Sequence, residues 1–387
     1  MQIRVLNQCF VFRITRIRIA LAAIFLTSLI AMVCRFVFGL SAVTNLNDQY
    51  PWGLWISLDV VGGVALGAGA FATAAIVYIF GQEKFHALAR PAVLTGFLGY
   101  LMVIFSLLLD LGQPWDIWHP IVMWQPHSAM FEVAWCVMLY TTVLFLEFLP
   151  SICEKFGWEM PTRLVKRIYI PLVIAGIILS TLHQSSLGTL LLILPDKLHA
   201  LWYTPLLPLM FFVSSIILGL AVVLFEAILV GNSMKINEIP LLSRFAKGIP
   251  AVVLIYVILK LADIVYRGEL SQVFVNNMES WTFITEMLLL IVPAYLLLFK
   301  SIRTNKTGLL TSAVVLIVGV LLNRLNASSL GLAHYFNKVY VPSFTELLIT
   351  LGLISLEVLI YIFIVENFPV IEEHAKGTET KSQSSLV

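Results

Sequence analysis

Acidic, histidine and tyrosine side chains interrupt long apolar runs in this chain, and their types suit proton-coupled chemistry. Asp59, Asp110, Glu132, His183, Glu286 and Glu346 stand within such runs or at their ends. An ionisable group in a membrane interior is costly and marks function by default. A carboxylate can give or take a proton, and an imidazole can hold a ligand on one nitrogen while the other is fixed. His183 is embedded in Thr181-Leu-His-Gln-Ser-Ser-Leu-Gly188, whose adjacent polar groups suit a ligand site. A sparser set, Arg90, Tyr100, Glu147, Glu226 and Glu357, lies deeper and has the spacing of a proton relay. Lys260 and Asp263 are three apart, so on a helix they can neutralise each other as a structural charge pair. Each group also has a bland reading. Asp59 and Asp110 suit helix ends in water, Glu132 suits a helix N-terminal dipole, and Glu147 suits an inner helix end.

The elements that must position these groups are transmembrane helices. Of 387 residues, 60% are hydrophobic and only 12% are charged. A soluble domain carries roughly 25% charged residues, so lipid must solvate most of this surface. Apolar runs of membrane-spanning length predict an all-α polytopic fold of about ten helices in bundles. The spans read as 17–39, 53–80, 88–110, 127–149, 168–194, 201–230, 248–266, 279–299, 308–325 and 343–366. Residues 1–16 read as a cytoplasmic N-terminus, 17–367 as the transmembrane domain and 368–387 as a disordered cytoplasmic tail. The first run follows Arg13, Arg16 and Arg18 and lacks a small-residue cleavage site, so it reads as a retained anchor.

Orientation follows from the basic residues. Loops on the N-terminal side carry 18 of the 24 Lys and Arg; Lys197, Arg267, Arg324 and Lys338 are assigned to the opposite loops. The positive-inside rule then puts both termini in the cytoplasm. Most of the intramembrane charge gathers toward the outer face. Next to it, the loop from Asp110 to His127 holds Trp115, Trp118, Trp124, His119 and His127 without one Lys or Arg. Such a surface suits an apolar ring with polar ends, or a docked protein. Asp110 and Glu132 flank this loop 22 residues apart, and Asp263 and Glu286 flank another 23 apart. This echo reads as a two-bundle parallel repeat. Cys9, Cys34, Cys136 and Cys153 form no C-x-x-C pair, so no iron–sulfur cluster is expected on this chain. No metal site is expected, and the net charge of +2 is no nucleic-acid footprint.

Ordered stretches over nearly the whole chain carry a family resemblance. They include Val37-Phe-Gly-Leu40, Pro51-Trp-Gly-Leu-Trp-Ile56 with Asp59, His86 to Pro91, Phe97-Leu-Gly-Tyr100 and Phe131-Glu132. They continue through Leu146-Glu-Phe148, Phe156-Gly-Trp158, Leu182 to Gly188, Lys197-Leu-His-Ala-Leu-Trp202, Phe225-Glu226, Ile264 to Arg267 and Thr345 to Ile349. With these the chain resembles the NrfD/PsrC family of membrane subunits, in particular those of hydrogenase-2-type [NiFe] hydrogenases. The resemblance implies a haem-free, quinone-reactive subunit of the bacterial inner membrane. Such a subunit takes electrons from a periplasmic iron–sulfur protein, served by hydrogenase large and small subunits, and passes them to menaquinone. No hydrogenase active site belongs to such a chain. Carried over residue by residue, the implied proton and quinone positions are Arg90, Tyr100, Glu132, His183 and Glu226. The reading of the residues themselves adds Asp59, Asp110 and Trp202 to the quinone and proton positions, and Glu357 to a proton path with Arg90, Tyr100 and Glu226.

Other readings stand beside this one. The same family serves polysulfide- and nitrite-reducing enzymes. A haem b cytochrome needs two histidines on helices at matching depth, and only His183 sits well inside a span. A secondary transporter would place its charge near the membrane midplane, whereas this charge is skewed outward.

Overall fold

The computed structural model describes residues 2–5, 8–50 and 52–371. Among these, ten helices are long and apolar enough to cross a membrane. In chain order they are α1 (Arg16–Phe38), α2 (Trp55–Ile79), α3 (His86–Asp110), α4 (Ala129–Phe156) and α5 (Glu159–Leu191). The remainder are α6 (Leu207–Met234), α7 (Ile249–Tyr266), α8 (Met278–Leu296), α9 (Lys306–Ser328) and α10 (Phe344–Asn367).

The helices begin where side chains can satisfy free backbone N–H groups. Thr15 caps α1, Ser128 caps α4, Asn277 caps α8 and Asn305 caps α9. At α10, Ser343 and Glu346 form a reciprocal capping box. The sequence placed the sixth helix from residue 201, but α6 starts only at Leu207. Pro205 and Pro208 have no N–H to donate, which suits a turn and a first helical position rather than a helix interior. Trp202 therefore lies in the connection before α6 and not on the helix.

Packing sorts the helices into two units and a flanking pair. Consecutive helices α2 to α5 close into one four-helix unit, as do α6 to α9. Helices α1 and α10 pair with each other and lean on α3. The units meet where α2 and α5 pack on α6, and glycine makes this contact close. A Cβ placed on Gly219 of α6 would lie 2.4 Å from the Gly69 nitrogen of α2. Small residues at such crossings let helix backbones approach in lipid, where packing rather than hydrophobicity holds helices together. Helix α2 opens and closes with π-helical turns, Trp55–Val60 and Ala75–Ile79.

The terminal segments are more ordered at the body than the sequence indicates. Strands β1 (Gln2–Val5) and β2 (Gln8–Val11) form an antiparallel hairpin. Val11 N–H donates to Asn367 Oδ1 at 2.7 Å, and Phe10 stacks on Phe363 with ring centres 6.0 Å apart. Phe368 and Val370, assigned by the sequence to the tail, pack on the body, and Val370 is fully buried. The expected tail from residue 372 onward lies outside the described residues.

Candidate functional site

The α2–α5 unit holds a buried polar centre. His183 on α5 is fully buried, and its Nδ1 shares a 2.8 Å hydrogen bond with the Tyr100 hydroxyl on α3. The Tyr100 ring meets Tyr140 of α4 edge-on at 4.7 Å. Gly67 of α2 makes room for this ring, since a Cβ there would come within 2.7 Å of it. His183 lies eight residues before the end of α5, or roughly 12 Å at 1.5 Å per residue. Gln184 beside it donates to the Val64 carbonyl of α2 at 2.8 Å and so ties α5 to α2.

What distinguishes this unit is its unpaired polar atoms. His183 Nε2 and Gln184 Oε1 are buried without a hydrogen-bond partner among the described residues, and the Tyr140 and Ser180 hydroxyls beside them have only each other. Ser57 and Ser106 Oγ and Asp110 Oδ1 continue the set toward the Asp110 end, and Thr73 Oγ1 extends it the other way. Buried polar groups are normally satisfied, and each exception calls for water, a ligand or a functional role. Six such atoms on α2, α3 and α5, with the Tyr140–Ser180 pair beside them, fit a hydrated path leading to a ligand with polar ends.

The residues singled out in the sequence fall into separate settings. Tyr100, read there as part of a proton path, bonds directly to His183. Asp59 accepts from Thr350 of α10 at 2.8 Å. Asp110 ends α3 beside the Arg35 guanidinium of α1, which donates to the carbonyls of Leu109 at 2.6 Å and Leu111 at 2.5 Å. Glu132 is exposed on the first turn of α4, where a helix N-terminus favours an acid. Glu226 on α6 accepts from Thr95 of α3 at 2.6 Å, and Glu357 of α10 faces Gly99 of α3. Arg90 pairs with Glu154 at 3.0 Å and with the Pro369 carbonyl at 3.0 Å, binding α3, α4 and the chain beyond α10 together. Glu346 is consumed by its cap: Asn45 N–H donates to it at 2.9 Å and the Tyr340 hydroxyl at 2.6 Å.

Among the described residues Lys260 and Asp263 make no direct ion pair, although the Glu286 and Asp263 carboxylates both act on the Lys260 ammonium. Asp263 instead pairs with Arg267 at 2.8 Å and accepts from the Thr204 hydroxyl at 2.7 Å. An arginine four residues on presents a planar fork that matches a carboxylate better than an ammonium three residues back. The buried Lys260 ammonium lies 5.9 Å from the centre of the Phe283 ring. Arg324, counted as a loop residue in the sequence, sits inside α9, fully buried, with its guanidinium 3.8 Å from the Phe211 ring centre.

A second buried centre occupies the α6–α9 unit, and Trp202 belongs to it rather than to His183. Four donors converge on the fully buried Glu286 of α8. They are Trp202 Nε1 at 3.1 Å, Asn326 Nδ2 at 2.8 Å, Asn323 Nδ2 at 2.8 Å and the Tyr256 hydroxyl at 3.4 Å. The asparagines had not been singled out in the sequence. Their signal was present, since His183-Gln-Ser-Ser-Leu-Gly188 on α5 is matched by Asn326-Ala-Ser-Ser-Leu-Gly331 at the end of α9. Asn326 thus opens on α9 the same short pattern that His183 opens on α5. The first centre leaves its histidine half-paired, while the second closes a network around its carboxylate.

Fold and site together define a polytopic helical membrane protein of two four-helix units, each with a buried polar centre. The chain belongs to the NrfD family: residues 42–327 match the family described as "Polysulphide reductase, NrfD". It is 36% identical over 363 residues to a protein of Nitratidesulfovibrio vulgaris whose name states no function, covering 91% of this chain and 93% of that one. It is 30% identical over 363 residues to the probable Ni/Fe-hydrogenase 2 b-type cytochrome subunit of Escherichia coli, covering 92% of this chain and 93% of that one. It is 28% identical over 310 residues to the menaquinone reductase integral membrane subunit of N. vulgaris, covering 73% of each chain.

Proposed function

We propose that this chain is the haem-free, quinone-reactive membrane subunit of a respiratory [NiFe] hydrogenase, passing electrons from an iron–sulfur partner to menaquinone. The observation that carries the reading is His183, a fully buried imidazole with one nitrogen held by Tyr100 and the other free. Relatives named as a hydrogenase 2 subunit and a menaquinone reductase subunit support the same chemistry.

Reduction of a quinone takes up two electrons and two protons. This chain's residues bind and orient the ring and move protons. With the Tyr100 hydroxyl donating to Nδ1, the His183 ring proton sits on Nε2, where it can donate to a quinone carbonyl. Tyr140, Ser180 and Gln184 offer further polar atoms around it. Ser57, Ser106 and Asp110 lead toward one membrane face. Glu357 at the level of Gly99, and beyond it Glu226 with Thr95, lead toward the other and form a route for protons that couples reduction to charge movement. Asp59 on α2 and Glu132 on the first turn of α4 would supply protons from the Asp110 side.

The distribution of Lys and Arg supports cytoplasmic termini in the inner membrane, with the Asp110–His127 connection at the periplasmic face. On that connection Trp115, Trp118, Ile121, Val122, Met123 and Trp124 are all exposed, an apolar surface suited to a docked electron-transfer subunit.

The test compares hydrogen-dependent reduction of a menaquinone analogue by membranes carrying the complex with reduction of a soluble dye. His183→Ala and Glu132→Gln are expected to lose quinone reduction while dye reduction continues. Unchanged quinone reduction in both variants would remove these residues from the quinone and proton route.

A further inference from the structure

The membrane face opposite the Asp110–His127 connection carries a groove that the quinone reaction does not use. It lies between the segment joining α6 to α7 and the segment joining α8 to α9. Asn237, Ile239, Pro240, Ser243, Arg244, Lys247, Lys300, Arg303 and Thr304 enclose about 540 Å³, half open to the outside. Four of the nine side chains are cationic and none is acidic. Arg244, Lys247 and Lys300 are exposed. Arg303 is held rigidly by two backbone bonds, to the Leu297 carbonyl at 2.6 Å and the Leu298 carbonyl at 2.9 Å. Its Nε is buried, aimed at no protein acceptor. Four like charges around one concavity repel one another unless an anion joins them, and a fixed guanidinium with a spare N–H is a preferred phosphate donor.

We propose that this groove binds the headgroup of an anionic phospholipid. The phosphate would sit among Arg244, Lys247, Lys300 and Arg303, with Ser243 and Thr304 able to donate hydroxyl hydrogen bonds. A lipid is favoured over a free anion because the groove opens onto apolar surface. Leu298, whose carbonyl Arg303 holds, and Phe299, next to Lys300 in the chain, are exposed, where acyl chains would lie. Basic pockets between transmembrane helices bind such headgroups on this principle. The site would clamp the α7–α8 half of the second unit to the bilayer without touching either buried centre.

The experiment is native mass spectrometry of the purified full chain equilibrated with phosphatidylglycerol, cardiolipin or phosphatidylcholine. One anionic lipid per chain is expected to survive activation that strips phosphatidylcholine. The double variant Arg244→Gln/Lys247→Gln removes two exposed charges that make no described hydrogen bond or ion pair. At about fivefold for each basic side chain lost, it should retain the lipid about 25-fold less well. Arg303→Gln also removes two bonds to α8, so the double variant keeps the test independent of folding. Equal retention of anionic and zwitterionic lipid, or equal retention by wild type and the double variant, would overturn the proposal. So would displacement of the lipid by inorganic phosphate but not by chloride at matched ionic strength, which would mark a free-anion site.

Discussion

Replacing Glu286 by glutamine tests whether the second centre is a structural clamp. The carboxylate accepts four donors from three separate segments, Trp202, Tyr256, Asn323 and Asn326, at 2.8 to 3.4 Å. Glutamine keeps the shape but turns one acceptor oxygen into an NH2 group that faces donors. Part of the loss can be relieved. The Tyr256 hydroxyl can rotate to accept, and Asn326 can flip, because its Oδ1 has no partner. The Trp202 indole can do neither, because it is a donor only. If the amide nitrogen falls on the Asn323 side, flipping Asn323 brings its NH2 toward the Arg324 guanidinium that now donates to its oxygen. At least one buried donor therefore stays unpaired, costing about 1–3 kcal/mol, and two cost about twice that. The assay is thermal unfolding of the purified chain in detergent, with Glu286→Leu as a companion. The expected result is a clearly lower midpoint for glutamine and a further loss for leucine, which strands the Trp202 indole and the Tyr256 hydroxyl and leaves Asn323 only the Tyr256 oxygen and Asn326 only the Thr282 carbonyl. An unchanged midpoint in both variants would refute the clamp and make Glu286 a candidate for chemistry.

The remaining predictions concern the first centre, the contact between units and pH. Tyr100→Phe removes the 2.8 Å bond to His183 and should slow quinone-dependent electron transfer roughly tenfold, taking about 1.4 kcal/mol for the bond, while dye reduction and KM for the dye hold. Gly219→Val places carbon where even a Cβ is 2.4 Å from the Gly69 nitrogen. It should cost more than the usual 1–3 kcal/mol of overpacking and lower the amount of folded protein recovered from membranes. His199 lies in the connection before α6, and burial, then the neighbouring His334, lowers its pKa below the ordinary 6.5. The unfolded chain binds this proton more readily, so stability is full above about pH 6.5 and falls as pH drops toward the folded value. The unfolding midpoint should decline over that window, and His199→Gln should flatten the decline.

The ten spans were legible because apolar length is a strong signal in membranes, where every backbone group must be satisfied internally. Their ends were less so, as α6 shows, because proline positions rather than hydropathy decide where the helix starts. His183 stood out by burial and polar neighbours, but its bond to Tyr100 crosses from α5 to α3 and no spacing along the chain encodes it. Trp202 was visible as part of a motif, yet its partner Glu286 lies 84 residues away. The direct partner of Asp263 was hidden for a related reason. Spacing names the neighbours a side chain can reach on its own helix, and Arg267 and Thr204 compete better for the same carboxylate. The hairpin at residues 2–11 carries no alternation strong enough to announce it and is held by contacts with the far end of the chain.

The most direct test of the central claim is to locate the quinone itself. A photoreactive menaquinone analogue, irradiated in membranes carrying the intact complex and mapped by peptide mass spectrometry, should label α3, α4 and α5 around Tyr100, Tyr140 and His183. Excess menaquinone should abolish the label, and His183→Ala should reduce it. Competed labelling confined to the α6–α9 unit around Glu286, or labelling that menaquinone does not displace, would contradict a quinone site at His183.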